Sequence, residues 1–218
     1  MRQDDRPMRL LSLLAEAYPK APKTALKHRT PLEMLVATIL SAQCTDARVN
    51  IVTGELFKRY RSAEEYANAD LRELEGYVKS TGFYRNKARN IKAAARMIVD
   101  EYGGGVPDSM GELLRLPGVA RKTANIVLSN AFNKVEGIAV DTHVRRLSYR
   151  MGLTAEEDPV KIEQDLMGTY PRSRWGDINR VFVEHGRRVC AARKPLCRSC
   201  VVERLCPKAG VDAVRKKL

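Results

Sequence analysis

The sequence predicts an all-α protein. Apolar residues recur at helical spacing in its two clearest segments, and these residues are Ala88, Ile91, Ala95 and Ile98 in one and Ala124, Val127, Leu128 and Ala131 in the other. Pro117 and Gly118 interrupt the pattern just before the second segment, because proline lacks a backbone N–H and glycine tolerates a positive φ. With 218 residues and 44% hydrophobic residues, the chain can build one large or two small helical domains.

Residue patterns in the first half predict helices over 6–18, 31–41 and 45–60, with a Pro-containing crossover after the first. Two short helices follow between 62 and 76, and a long basic helix covers 85–102 after the loop 81–84. Runs of charged residues usually lie on a solvent-exposed face of a helix. We therefore expect the basic side chains of this last helix to be mostly solvated, namely Arg85, Lys87, Arg89, Lys92 and Arg96.

The second half predicts a loop over 103–107 and a short helix capped by Asp108 or Ser109. A hairpin at 117–118 and a helix over 120–132 come next. The buried run 138–140 leads to Asp141, a residue type favoured at helix N-caps, and two further helices cover 158–170 and 175–189. Spacing gives His143 no partner, so we expect a structural histidine, and we expect Cys44 to be a small buried residue.

The helix that follows the hairpin directs its free N–H groups and its positive dipole end back at the turn. Such a corner binds anions, and a phosphodiester is the obvious one. Lys122 lies in the first turn of this helix, where the same field disfavours an ammonium and so assists nucleophilic attack.

Net charge indicates the partner. The chain carries a formal charge of +13, which argues for a polyanion such as nucleic acid. The N-terminal segment contains acidic residues and lacks the apolar core of a signal peptide, and no apolar stretch is long enough to span a bilayer. We expect a soluble protein that is cytoplasmic or associated with the nucleoid.

Four of the five cysteines fall within seventeen residues, at positions Cys190, Cys197, Cys200 and Cys206. Without a secretory signal, disulfides are disfavoured and a metal site is the main interpretation. Thiolate ligands suit both a zinc ion and an iron–sulfur cluster, so zinc is the alternative. Four cysteines on such short loops are well suited to enclose the larger, cube-shaped iron–sulfur cluster. The segment after position 185 contains ten lysines and arginines but only two acidic residues. We expect Arg193 and Lys194 of this segment to protrude towards a phosphate backbone.

The hairpin and its downstream aspartate carry a family resemblance. The stretch LPGVARKTA, followed by VDTH at 140–143, is similar to the endonuclease III branch of the helix-hairpin-helix DNA glycosylases. In that resemblance Gly118 is the hairpin glycine, Lys122 the nucleophile, and Asp141, nineteen residues on, the catalytic aspartate. The four cysteines match the family's 4Fe–4S loop. Ala120 is a departure, because the family usually has a second glycine there.

The resemblance also implies a fold and DNA contacts. Residues 24–134 would form a helical barrel lobe, and 1–23 with 135–218 an iron–sulfur lobe, with Lys122 facing Asp141 across the cleft. Gln43 would fill the gap left by an extruded base, and Phe83 would wedge between bases opposite the lesion. The remaining DNA contacts would come from the hairpin and its helix, at Leu116, Gly118, Val119, Ala120 and Arg121.

The function so implied is base-excision repair by a monomer acting on double-stranded DNA that contains a damaged base or an abasic site. The enzyme would be a bifunctional glycosylase and lyase that removes oxidised pyrimidines and nicks the strand by β-elimination through a lysine Schiff base. A monofunctional adenine-mismatch glycosylase would normally lack the lysine and carry a glutamate on the first barrel helix, where Glu33 is the only nearby carboxylate. A non-catalytic DNA-binding iron–sulfur protein would not need Lys122 with Asp141, and positive charge disfavours a ferredoxin-like carrier.

Overall fold

The computed structural model describes residues 5–211, and this part of the chain contains α-helices and short 3-10 turns but no strand. The predicted all-α class is therefore confirmed. The chain divides into two compact units, one formed by Thr24–Glu136 and the other by Met1–Lys23 together with Gly137–Leu218.

The Thr24–Glu136 unit is built around a buried helix, α2 (Pro31–Leu40). Its apolar residues from Met34 to Leu40 are all buried, and α2 packs against the third, sixth and eighth helices. Pro31 occupies the first turn of α2, and the Thr30 side chain accepts a hydrogen bond from the N–H of Glu33. The helices of this unit are α2 (Pro31–Leu40), α3 (Asp46–Arg59), α4 (Ala63–Ala67), α5 (Leu71–Val78), α6 (Tyr84–Tyr102), α7 (Met110–Leu113) and α8 (Arg121–Ala131).

Helix α6 corrects one expectation, because Lys87 is not solvated. Its side chain is buried with 5% exposure. Lys87, Ile91 and Ala94 follow one another at spacings of four and three residues and share the buried face of the helix. The ammonium is accommodated because two backbone carbonyls accept its protons, those of Leu40 and Thr81.

In the second unit, α11 (Trp175–Arg188) packs against α1 (Arg6–Ala17) and α9 (Thr142–Arg150), and α10 (Pro159–Thr169) packs against α9. Its core includes Leu10, Leu14 and Phe182, and the His185 side chain is also buried. The Arg6 guanidinium donates to the carbonyls of Met151 (2.6 Å) and Gly152 (2.8 Å) and so ties α1 to the end of α9. The helices are α1 (Arg6–Ala17), α9 (Thr142–Arg150), α10 (Pro159–Thr169) and α11 (Trp175–Arg188), and 3-10 turns follow at Cys197–Ser199 and Glu203–Leu205.

Candidate functional site

The predicted hairpin lies between α7 and α8. It closes with a hydrogen bond from the Val119 N–H to the Leu116 carbonyl (3.1 Å). Gly118 has a φ of 80°, and a Cβ there would stand 2.8 Å from the Asn90 Cβ, so both backbone conformation and space require glycine. Leu116 and Val119 are 2% and 7% exposed, and their side chains anchor the hairpin in the core. Any contact they make with DNA would come from their backbone.

Helix α8 starts directly after the turn. Ala120 is its N-cap and supplies no side-chain hydrogen bond to the first turn, which also contains no acidic residue. The positive end of the helix dipole is therefore not neutralised locally, which suits an anion. Lys122 is the second residue of α8 and is exposed, as an approaching substrate would require.

Asp141 caps α9, as the sequence predicts. Its Oδ1 accepts hydrogen bonds from the N–H groups of His143 (2.9 Å) and Val144 (2.8 Å). These bonds fix the carboxylate at the helix N-terminus. Because both bonds are made by Oδ1, Oδ2 is the oxygen that Asp141 can present to a substrate.

The expectation that His143 lacks a partner is wrong. Its Nδ1 lies 3.1 Å from the Arg146 guanidinium, which also donates to the carbonyls of Cys190 (3.0 Å) and Gly186 (3.0 Å). Burial lowers the pKa of His143, which favours the neutral imidazole beside this cation. The spacing of three residues along α9 brings the two side chains together, a signal that was present in the sequence.

Two predicted DNA-contacting residues share an unusual backbone conformation. Gln43, in the loop between α2 and α3, has a φ of 51°, and Phe83, the N-cap of α6, has a φ of 47°. Both side chains are exposed, and for Phe83 the exposed fraction is 66%. Large non-glycine residues rarely adopt this conformation. Cys44, beside Gln43, is partly buried against the core of its unit.

The four clustered cysteines line one cavity, which opens partly to solvent. None of them forms a disulfide. Burial raises the pKa of the Cys200 thiol to about 11 and also raises that of Cys206. Across residues 5–211, no group of three or more His, Cys, Asp or Glu side chains stands ready for a single metal ion.

Arg150 is a buried residue of this site that the sequence reasoning missed. Its guanidinium donates to the Cys190 sulfur (3.3 Å) and to the carbonyls of Ala191 (2.7 Å) and Ala192 (2.9 Å). It therefore holds the start of the cysteine loop and adds a positive charge beside one thiol. The donor set of four sulfurs around one cavity, with a cation beside it, fits a cluster of several iron and sulfide ions.

Arg193 and Lys194 are exposed on the loop between the first two cysteines, and Lys194 has a φ of 48°. Their exposure leaves both charges open to a polyanion. None of the helices within residues 5–211 has the length and apolar character to cross a membrane.

Comparison with known proteins agrees with these features. The model of the HhH-GPD superfamily of base excision DNA repair proteins matches residues 36–172. Endonuclease III of Synechocystis sp. is 54% identical over 94% of this chain and 93% of that protein, and endonuclease III of Bacillus subtilis is 45% identical over 90% and 89%.

Among solved structures, a trapped covalent endonuclease III–DNA intermediate has a TM-score of 0.90 at 44% identity and covers 95% of this chain and 97% of that one. A non-covalent endonuclease III–DNA complex has a TM-score of 0.91 at 43% identity and covers 99% of this chain and 100% of that one. The chain therefore belongs to the endonuclease III family, within the HhH-GPD superfamily of base excision DNA repair proteins.

Proposed function

We propose that this chain is a bifunctional DNA N-glycosylase and abasic-site lyase that removes oxidised pyrimidines from duplex DNA. The observation that carries the proposal is the exposed Lys122, one residue into a helix whose N-terminus follows the Gly118 hairpin. A nucleophile at this position lies beside backbone groups suited to a DNA phosphate.

The reaction begins with a phosphate held at the hairpin, which positions the strand without reading its sequence. The damaged nucleotide leaves the stack more readily than an intact one, because its pairing or stacking is weaker. The neutral Nζ of Lys122 attacks the sugar C1′ while the bond from C1′ to the base breaks, and the base departs with the bonding electrons and gains a proton. Oδ2 of Asp141 stabilises the positive charge that develops on the sugar or assists proton transfer.

The sugar then opens to an imine between C1′ and Lys122. Loss of a C2′ proton drives cleavage of the C3′–O3′ bond, and the 3′ phosphate leaves with the electron pair, so the strand is nicked. Water hydrolyses the imine and releases the lysine. Lys122 thus serves both the glycosylase step and the lyase step.

DNA contacts outside the reacting centre come from both units. Gln43 fills the space of the extruded nucleotide, Phe83 inserts opposite it, and Arg193 with Lys194 tracks the phosphate backbone. The protein acts as a monomer on the nucleoid.

Cys190, Cys197, Cys200 and Cys206 hold a 4Fe–4S cluster. Bound there, the cluster supplies a structural cross-link and a local electrostatic field. Arg150 compensates the negative charge of the thiolates from one side. Iron and acid-labile sulfide analysis should give about four of each per chain, whereas zinc alone would contradict this assignment.

The adenine-mismatch alternative requires a catalytic glutamate on the first barrel helix, and the only nearby candidate, Glu33, is engaged in capping that helix. Glu33 already accepts a hydrogen bond from the Arg29 N–H (2.6 Å), and its own N–H donates to Thr30. It therefore belongs to a reciprocal cap of α2.

The test is a duplex carrying one oxidised thymine, incubated with the pure protein. We expect release of the oxidised base together with a nick whose 3′ terminus is the unsaturated aldehyde left by β-elimination. Base release without a nick would indicate a monofunctional enzyme, and neither product would indicate a binding protein.

A further inference from the structure

The buried ammonium of Lys87 has no role in the chemistry proposed above. It lies on α6 with 5% exposure and donates to the carbonyls of Leu40 (2.8 Å) and Thr81 (2.7 Å). Within the described residues no carboxylate forms an ion pair with it. Burial lowers the pKa of Lys87, because removing the ammonium from water disfavours its charged form. A buried position of this kind is ordinarily occupied by an apolar residue, so a lysine there suggests a specific structural role.

The two carbonyls mark the starts of the two loops that carry the unusual side chains. Leu40 is the last residue of α2, and Gln43 follows three residues later. Thr81 ends a 3-10 turn, and Phe83 follows two residues later, after Gly82. One ammonium therefore joins the bases of two segments that are about forty residues apart in sequence.

Both loops need such a restraint. Gln43 and Phe83 have φ values of 51° and 47°, and Gly82 before Phe83 has a φ of 70°. Large side chains in this region of backbone space persist only where the surrounding structure holds them. An exposed phenylalanine in this state gains little from packing, so the restraint has to come from the chain beneath it.

We propose that Lys87 is a positioning residue that locks the Gln43 loop and the Phe83 loop relative to each other, so that both side chains enter a DNA stack together. The inference rests on the proposed function, because it takes Gln43 and Phe83 as the inserted residues. Preorganising both loops removes the entropy cost of ordering them on DNA, and that advantage applies only at a lesion where they insert.

Lys87→Met tests this proposal, because methionine keeps the length of the stem and removes the ammonium. Lys92→Met is the matched control: Lys92 is on the same helix, and its Nζ donates to the carbonyl of Ala69 (2.6 Å), far from either loop in sequence. The measured quantity is the ratio of affinities for a duplex with a stable abasic analogue and for an undamaged duplex. We expect Lys87→Met to lower this ratio about tenfold, the ordering cost of two side chains, and Lys92→Met to leave it unchanged.

A second readout is the fluorescence of 2-aminopurine placed opposite the abasic analogue, which rises when that base loses its stacking. Lys87→Met should reduce this rise, and a folded variant with both the wild-type ratio and the wild-type fluorescence would overturn the proposal. If Lys87→Met does not fold, Lys87→Arg and Lys87→Gln keep a donor and carry the same comparison, with a smaller loss expected from arginine.

The double variant Gln43→Ala/Phe83→Ala separates this proposal from the proposed function. If these substitutions alone leave the affinity ratio unchanged, the insertion roles fail. If they lower it, adding Lys87→Met should change it no further, because Lys87 acts only through the two loops. A further tenfold loss in that background would show that Lys87 acts elsewhere and would overturn the positioning role.

Discussion

Replacing Gly118 by alanine should destabilise the hairpin through two separable effects. At a φ of 80°, an L-residue costs roughly 1–2 kcal/mol relative to glycine. The new Cβ would also stand 2.8 Å from the Asn90 Cβ and 2.9 Å from its Nδ2. Rotation of the Asn90 side chain cannot move its own Cβ, so α6 or the hairpin must shift, and overpacking of this kind costs about 1–3 kcal/mol. Together the two effects cost about 2–5 kcal/mol.

Gly103→Ala provides the control. Gly103 ends α6 with a φ of 60°, and an added Cβ there meets no atom within 4 Å, so alanine incurs only the backbone cost. In urea unfolding we expect Gly103→Ala to lower the free energy of unfolding by about 1–2 kcal/mol and Gly118→Ala to lower it by more. Asn90→Gly combined with Gly118→Ala should recover the overpacking part, since it removes the Cβ that clashes. Equal losses for the two alanine variants would refute the steric argument.

Gly118→Ala should also weaken DNA binding, separately from its effect on stability. A shift of the hairpin moves the N–H groups at the start of α8, where we place a phosphate. We expect Gly118→Ala to bind an abasic-analogue duplex at least about tenfold more weakly than Gly103→Ala, at a temperature where both are folded. Comparable affinities would show that the hairpin does not hold the strand.

Three further outcomes follow from the proposed site. Cys200→Ser should lose most of the iron, whereas Cys44→Ser, which changes the cysteine outside the cavity, should retain it; equal iron contents would contradict the ligand assignment. Arg193→Ala with Lys194→Ala should reduce the slope of log affinity against log salt concentration by about 0.9 for each lost phosphate contact, and an unchanged slope would remove these residues from the interface. Since burial lowers the pKa of Lys87, the unfolded chain binds that proton more tightly. The stability of wild type relative to Lys87→Met should therefore rise from neutral pH towards pH 10.5, and urea unfolding at both ends tests the sign.

Local signals predicted the helices well. Thr45, Ser109, Asp141 and Asp158 each cap a helix through their own side chains, and each lies where the sequence analysis places a helix start. Capping and turn formation involve only a few neighbouring residues, so a single sequence contains the information they need. The hairpin at Gly118 could be predicted from neighbouring residues in the same way. Its close contact with Asn90 could not, because Asn90 lies in a different helix.

Long-range polar contacts were not predictable in this way. Lys87 lies among basic residues that are exposed or only partly buried, and its two carbonyl partners come from other segments of the chain. Arg150 is 5% exposed at the end of α9, and its partners lie about forty residues further on. A charged residue type favours the surface on average, and only the three-dimensional position of its acceptors reverses that preference.

Borohydride trapping on a duplex with one oxidised thymine tests the central claim, the lysine imine, most directly. Borohydride reduces an imine to a stable amine and so leaves the protein covalently attached to DNA. We expect an adduct with wild type, peptide mapping to Lys122, and no adduct with Lys122→Gln at unchanged affinity for an abasic-analogue duplex. An adduct of equal yield with Lys122→Gln, or an attachment mapped to another residue, would contradict the assignment of the nucleophile.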